Sequence, residues 1–388
     1  MNQALAWQKE HRDKRVGQIL MELGFVSESQ VLDALASRLH LNIVDVAQLS
    51  VDLQAVGKVS REVCEKNLIL PVSLQGHNME YVKIEGQFPK FSHCAVTLGK
   101  FDGIHRGHRK LIQTILNRKK EYGELAVVMA FVSDRQTILT SEERRILLEK
   151  MGVDILLECP LNDQIKHMKA DVFIRQILKG DLQASCVVVG EDFRFGHERK
   201  GSPELLEKYG EKYDYETIVI AKEMDGNRKI SSTYIREELK KGNMEKIADL
   251  LGSPFFTAGV IEHGRGMGHR DFFPTANIIP PKSKLMPPNG VYVTVSHFED
   301  GDYPGITNVG YKPTVGENFL GVETNLFDCD LDLYGQKCRV DFYKYIRPEQ
   351  KFTSFEALKA QIRRDIESGK NWFQEEKELV KTLSFGKK

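Results

Sequence analysis

Residues 96–111 read VTLGKFDGIHRGHRKL, and this stretch decides how the chain is understood. Ala95, Val96, Thr97 and Leu98 form a short apolar strand, and a glycine-bearing turn follows. Leu111, Ile112, Ile115 and Leu116 then recur at helical spacing on one face. His105 and His108 stand at the start of that helix, three residues apart and so on the same side. A helix start offers unpaired N–H groups and the positive end of the helix dipole, which suits a phosphate. Gly99, Phe101, Asp102, Gly103 and Gly107 make up the turn, whose glycines leave room for a phosphate chain beside the backbone. Two imidazoles there can stabilise negative charge growing on an α-phosphate during nucleotidyl transfer. The bland alternative is a pair of surface histidines beside a glycine turn; the strand–turn–helix setting favours a nucleotide site. A metal site is disfavoured, because no third ligand stands at a recognisable spacing.

Outward from this stretch, β and α patterns alternate. Runs 125–131, 153–157, 186–189 and 216–220 are Val/Ile-rich and suit strands buried on both faces. Thr140 with Glu143 makes a capping box for a helix over 146–151 that ends at Gly152, and a further helix is predicted over 170–179 with a stop at Gly180. The alternation predicts a doubly wound parallel sheet, with ligands beyond the carboxyl ends of its strands. Two further stretches belong at that edge. VVVGEDFRFGHERKG (187–201) follows a strand and carries Asp192 and Arg199. ISSTYIREEL (230–239) opens a helix with the hydroxyls of Ser231, Ser232 and Thr233, and places Arg236 one turn on, a set able to hold a polyphosphate leaving group.

After a helix over 244–251, Gly252 marks the expected end of this domain, which spans 79–252 with 79–92 as its connector. Residues 253–388 then change character. FFTAGVIEHGRGMG, GVYVTVSHFEDG, PGITNVG, GVETNLFD and KCRVDFYKYI are β-rich runs broken by Gly, Pro and Asp, which predicts a small antiparallel barrel. A closing helix follows, with Phe355, Leu358, Ile362 and Ile366 on one face, Ser354 as N-cap and Gly369 as C-cap; Trp372 and Phe373 beyond it are expected to seal the core. Within the barrel, HGRGMGHRDFFPTAN (263–277) sets His263, Gly264, Gly266, Gly268 and Arg270 where backbone N–H groups and charge can wrap phosphates, although no Walker loop is present. Thr275 and Asn277 add neutral hard oxygens suited to Mg²⁺ and phosphate.

GKFDGIHRGH resembles the nucleotide-binding signature of the adenylyltransferase half of bacterial bifunctional riboflavin kinase/FAD synthetases. The 187–201 and 230–239 stretches follow in that family's order, and PTAN (274–277) with GVY (290–292) resembles its riboflavin kinase signature. The resemblance covers roughly residues 91–367. It implies that Glu323, in GVETNLFD, is the catalytic base for a ribityl hydroxyl, that Mg·ATP serves the kinase step and a second ATP the adenylylation, and that riboflavin and FMN are the substrates. The chain departs from the family at 130–139, where AFVSDRQTIL replaces a Pro-His-Pro segment near the expected flavin contact. Two rival readings therefore stand beside the bifunctional one: a riboflavin kinase with an impaired adenylyltransferase half, and a regulatory or scaffold protein.

Residues 1–78 form a unit of their own, predicted to be small and mainly helical. RVGQILMELGFVSESQVLDALASRLHLNIVD (15–45) resembles the N-terminal domain of type II secretion and pilus-assembly ATPases, a family in which some members bind cyclic di-GMP. Arg15, Gly17, Leu20, Gly24 and Leu35 fit that pattern. The ligand-binding members carry two tandem copies and one full copy fits here, so an interaction module with a nucleotide or protein partner is the expectation.

Lys+Arg and Asp+Glu both number 55, and a net charge of zero argues against generalised nucleic-acid binding. The six cysteines show no C-x-x-C pair and read as reduced packing thiols. No apolar run approaches the roughly 20 residues of a membrane span, and the polar start MNQALAWQKEHRDKR is unlike a signal peptide. A cytoplasmic location, with no membrane partner, is expected.

Overall fold

Val96 and Leu98 face one way along their strand and Ala95 and Thr97 the other, yet all four are buried, as a strand covered on both faces requires. The computed structural model describes residues 79–262, 275–313, 318–329 and 333–383; the features expected in 1–78 and 263–274 lie outside them. In chain order the first part comprises β1 (Glu80–Lys83), β2 (Cys94–Gly99), α1 (Arg106–Tyr122), β3 (Leu125–Val132), α2 (Ser141–Met151), β4 (Ile155–Pro160), α3 (Asp163–His167) and α4 (Ala170–Val172). The last continues as a π-helix over Phe173–Asp181 and is followed by β5 (Ala184–Gly190), α5 (Pro203–Tyr213) and β6 (Glu216–Ile220). Among the described residues, β1–β6 make a parallel sheet of order β1-β4-β3-β2-β5-β6. Leu111, Ile112 and Ile115 of α1 and Leu147 and Leu148 of α2 cover one face; Phe173, Ile174, Ile177, Leu178 and Leu206 cover the other. The sheet is doubly wound, and its strand order reverses between β2 and β5, where such sheets bind ligands.

Two details differ from expectation. The 79–92 connector contains β1, which pairs in parallel with β4 from Glu80↔Ile155 to Lys83↔Glu158 and extends the sheet by one edge strand. Its alternation of Tyr81 and Val82 with charged neighbours is too short to stand out from a linker. The helix predicted to stop at Gly180 runs through it, because the wider π turn carries the chain to Leu182, whose N–H meets the Ile177 carbonyl. The capping box of Thr140 and Glu143 and the left-handed Gly152 cap stand as expected.

A short ribbon of β7 (Met224–Asp225) and β8 (Arg228–Lys229) leads into α6 (Ser232–Lys241) and α7 (Met244–Leu251). The rest is β9 (Phe255–Val260), β10 (Thr275–Ile278), β11 (Gly290–Phe298), β12 (Gly301–Pro313), β13 (Asn318–Leu326), β14 (Lys337–Pro348), α8 (Phe355–Glu375) and α9 (Lys377–Thr382). These strands form an antiparallel sheet of order β10-β13-β12-β11-β14-β9. It curls until the Glu262 N–H reaches the Asn277 carbonyl at 2.8 Å, joining its two ends as a small barrel. Inside, Thr294, Thr307 and Thr324 link hydroxyls across three strands at 2.7 Å each, which satisfies groups that would otherwise be orphaned in an apolar interior.

The core does not stop at Gly252. Ile235, Leu239, Ile247 and Leu250 of α6 and α7 share one cluster with Phe255, Tyr292, Val340 and Phe342 of the barrel. On the barrel's outside, α8 is capped by Ser354 as expected but passes Gly369 and ends after Glu375. Gly369 is the point of closest helix–sheet approach: a Cβ there would lie 2.9 Å from both Ile306 and Phe327. Trp372 and Phe373 are therefore on the helix, where Phe373 joins Val293 and Val295 in the core.

Candidate active site

The turn from β2 into α1 is held in an unusual conformation. Phe101 and Ile104 have φ of 46° and Gly103 of 95°, a cluster of left-handed residues that persists only where the surroundings over-determine it. Those surroundings are specific. Asp102 accepts from the Ile138 N–H at 2.7 Å and from Arg236 at 2.5 Å, while its carbonyl accepts from the Ser232 hydroxyl at 2.8 Å. Arg144, buried with Glu158 in a 2.9 Å ion pair, donates to the Phe101 carbonyl at 3.4 Å. The three glycines are filled by side chains: a Cβ on Gly99 would meet the Phe101 ring at 3.1 Å, on Gly103 the Ile138 side chain at 3.3 Å, and on Gly107 the His105 ring at 3.3 Å.

His105 is the N-cap of α1, and its Nδ1 accepts from the His108 N–H at 3.3 Å. The two imidazoles stack with centroids 3.7 Å apart and planes 15° from parallel, and Phe101 lies 4.9 Å from His108. Burial pushes His105 down to about 4 despite the nearby Asp102 and Asp192 carboxylates. Burial, then the neighbouring His105 and Arg144, hold His108 well below the ordinary imidazole value. Both rings are thus neutral near pH 7. The inward Nδ1 of His108 has no hydrogen-bond partner among the described residues. At this helix start no acidic residue stands in the first turn, and Glu223 takes up Arg106 and Lys110, so no carboxylate of the first turn opposes an anion at the helix end.

Of the other expected residues of this half, Asp192, Ser232 and Arg236 are tied to this turn. Asp192 follows β5 close enough to act on His105 and to approach Lys222 at 3.7 Å. Arg199 sits on an exposed turn with φ of 59°. Ser231 caps α6 through the Tyr234 N–H, with Ser232 and Thr233 in its first turn. Arg236 uses Nη2 for both Asp102 and the Gln136 carbonyl (2.7 Å), so it braces the loop, and its Nε and Nη1 have no partner among the described residues.

In the barrel, β10 and β13 pair so that Asn277 stands opposite Glu323 and Thr275 opposite Asn325. The Thr275 hydroxyl donates to Glu323 Oε1 at 3.1 Å. One hydroxyl, one amide and one carboxylate therefore converge on two adjacent strands, a set of hard oxygens that fits Mg²⁺ bound jointly with substrate phosphates. Among the described residues no cluster of three or more His, Cys, Asp or Glu could hold a metal by itself. His263, Gly264, Gly266, Gly268 and Arg270 lie outside the described residues. The buried pair Arg144 and Glu158 carried no signal in the sequence, since a buried charge is spelled like a surface one.

Comparison with known proteins finds two family matches in succession along the chain. The FAD synthetase family matches residues 88–234, and the riboflavin kinase family matches residues 251–373. The bifunctional riboflavin kinase/FMN adenylyltransferase of Escherichia coli (strain K12) is 34% identical over 308 residues, 76% of this chain and 96% of that protein. That of Bacillus subtilis (strain 168) is 33% identical over 297 residues, 72% of this chain and 92% of that protein. A crystal structure described as a macrolide-efflux protein from Streptococcus pneumoniae superposes with a TM-score of 0.68 at 30% identity, covering 76% of this chain and all of that one. With both halves matched, in order and over nearly the full length of those relatives, the chain belongs to the bifunctional riboflavin kinase/FMN adenylyltransferase family.

Proposed function

We propose that the two activities of this enzyme run at separate sites, FMN formation at Glu323 in the barrel and FAD formation at His105 and His108 above the parallel sheet. The chain is a riboflavin kinase and an FMN adenylyltransferase, with ATP as co-substrate in each step. The observation that carries the assignment is the stacked, neutral imidazole pair at a helix N-terminus beside the sheet's switch point.

In the first step the terminal ribityl hydroxyl of riboflavin attacks the γ-phosphorus of ATP; its proton goes to Glu323, the bond to the β,γ-bridging oxygen breaks and ADP leaves. Thr275 orients that carboxylate by donating to Oε1. Mg²⁺ would be held by Thr275 and Asn277 with the substrate phosphates, and its chemistry is neutralisation of phosphate charge. The sequence pattern and the family resemblance are what assign His263, Gly264, Gly266, Gly268 and Arg270 to the nucleotide phosphates.

In the second step an FMN phosphate oxygen attacks the α-phosphorus of a second ATP; the bond to the bridging oxygen breaks and pyrophosphate leaves. A phosphate monoester is largely a dianion at neutral pH, its second pKa being about 6, so the attack needs no protein base. What it needs is donation to the oxygens that gain charge, and neutral His105 and His108 act as N–H donors on a rigid helix start. The turn formed by Gly99, Phe101, Asp102, Gly103 and Gly107 receives the nucleotide, with Asp192 and Arg199 at its rim. Ser231, Ser232 and Thr233 at the α6 N-terminus, with Arg236, hold the departing pyrophosphate.

The enzyme works in the cytoplasm on this reading, which the free thiols of Cys94, Cys159, Cys186 and Cys338 support. No helix among the described residues is long and apolar enough to cross a membrane. Residues 1–78 add a nucleotide- or protein-binding module. The test is chromatographic: riboflavin, ATP and Mg²⁺ with the purified chain yield FMN first and FAD after it. FAD formation unaffected by replacing either histidine overturns the site assignment.

A further inference from the structure

Segment 133–140 lies between the two halves and is stitched to both. On the barrel side, the Thr137 N–H meets the Ser283 carbonyl and the Leu285 N–H meets the Thr137 carbonyl, each at 2.8 Å, and Gln136 donates to the Lys282 carbonyl at 3.0 Å. On the adenylyltransferase side, the Ile138 N–H meets Asp102 at 2.7 Å and the Gln136 carbonyl accepts from Arg236 at 2.7 Å. At the centre stands Lys284, whose side chain is wholly buried. Its ammonium donates to the Ile138 carbonyl at 2.6 Å, to Glu143 at 2.7 Å and to the Phe256 carbonyl at 2.7 Å, and lies 4.5 Å from the centre of the Phe255 ring. All three ammonium protons are thereby used, and the two carbonyls belong to opposite halves of the molecule.

A buried lysine is costly, and its desolvation is offset only by complete pairing. The fold nevertheless keeps one where an apolar residue would seal the junction, and spends one of its three bonds on the residue whose N–H holds Asp102. Asp102 in turn fixes Ser232, Arg236 and the strained turn into His105. We infer that Lys284 is a positioning residue for FMN adenylylation: an ammonium from the barrel half fixes residues 136–140, and through Asp102 it sets the loop that carries the imidazole pair. The inference rests on the assignment of His105 and His108 to that reaction. None of the bonds of Lys284 reaches Thr275, Asn277 or Glu323, so riboflavin phosphorylation is not served by it.

The test compares Lys284→Met with the double variant Lys284→Met/Glu143→Gln in the full chain. The single variant leaves the Glu143 carboxylate buried without its cation; the double variant removes that charge, and Gln keeps one acceptor for the two N–H groups, of Thr140 and Ala258, that Glu143 holds. The expected result is a drop of ten-fold or more in kcat for FAD formation from supplied FMN in both variants. KM for FMN and ATP and the rate of FMN formation from riboflavin stay within about two-fold, and the melting temperature partly recovers in the double variant. The proposal is overturned if the double variant regains kcat along with stability, if both activities fall in parallel, if kcat is unchanged, or if neither variant folds, since each makes Lys284 structural only. His105→Ala serves as the separate control: full FAD formation by that variant sinks the site assignment, whatever Lys284→Met does.

Discussion

The imidazoles of His105 and His108 lie 3.7 Å apart and nearly parallel, a spacing that two protonated rings would not hold. Their neutrality makes a prediction about stability against pH. Folding lowers the pKa of His105 from 6.5 to about 4, so the unfolded chain takes up a proton that the native chain refuses. This contribution is intact above pH 6.5, is lost as pH falls from about 6.5 to about 4, and changes no further below that. A shift of this size corresponds to about 3 kcal/mol, with His108 adding in the same direction. Urea unfolding of the wild type and His105→Gln at pH 7.5 and 4.5 checks it. The variant is expected to lose clearly less stability between the two pH values.

Catalysis at the same pair separates the two activities. His105→Ala and His108→Ala are each expected to lower kcat for FAD formation by about 10²-fold, the scale of losing one preorganised donor to a developing oxyanion. Riboflavin phosphorylation by the same variants should match wild type, and steady-state rates with riboflavin or FMN as starting material measure the split.

Glu323→Ala is expected to do the reverse. FMN formation falls by about 10²–10⁴-fold, the usual contribution of a positioned base, while supplied FMN is still converted to FAD. Parallel loss of both in a folded variant would contradict separate sites.

Gly369 offers a test of packing. Its Cβ position is 2.9 Å from the side chains of Ile306 in β12 and Phe327 just after β13. Replacing a mid-helix glycine gains at most about 1 kcal/mol of helix propensity, and less for a β-branched residue. Overpacking costs about 1–3 kcal/mol. Gly369→Val should therefore destabilise, read as a lower urea midpoint with unchanged m-value.

Removal of residues 1–78 should leave both activities within about two-fold, because the relatives from Escherichia coli and Bacillus subtilis are matched over 96% and 92% of their lengths by 76% and 72% of this chain. Turnover of riboflavin and FMN by the truncated and full chains decides it.

The frame of both halves was legible because it is written in local signals. Thr140 and Glu143 spell a capping box, Gly152 and Gly252 end helices, and 95–98 reads as a strand without knowledge of its neighbours. His105 at an N-cap was readable for the same reason. Elements whose form depends on distant residues were not. Tyr81 and Val82 become a strand only because β4 presents an open edge, and Gly369 stays helical because Ile306 and Phe327 leave no room for a side chain. The sequence singles out the glycines of the β2–α1 turn as room for a phosphate chain, but the spaces they leave are occupied by Phe101, Ile138 and His105. Which long-range partner fills a gap is a tertiary fact that spacing does not encode.

The cluster joining α6 and α7 to Phe255, Tyr292 and Phe342 has a thermodynamic consequence. Two enzymes that share one core cannot melt independently, so calorimetry of the catalytic region should show a single cooperative transition rather than two. Near the melting temperature a purely structural defect in either half will then silence both reactions together. Assigning a residue to one reaction therefore requires assays well below that temperature, where the native fraction is not limiting.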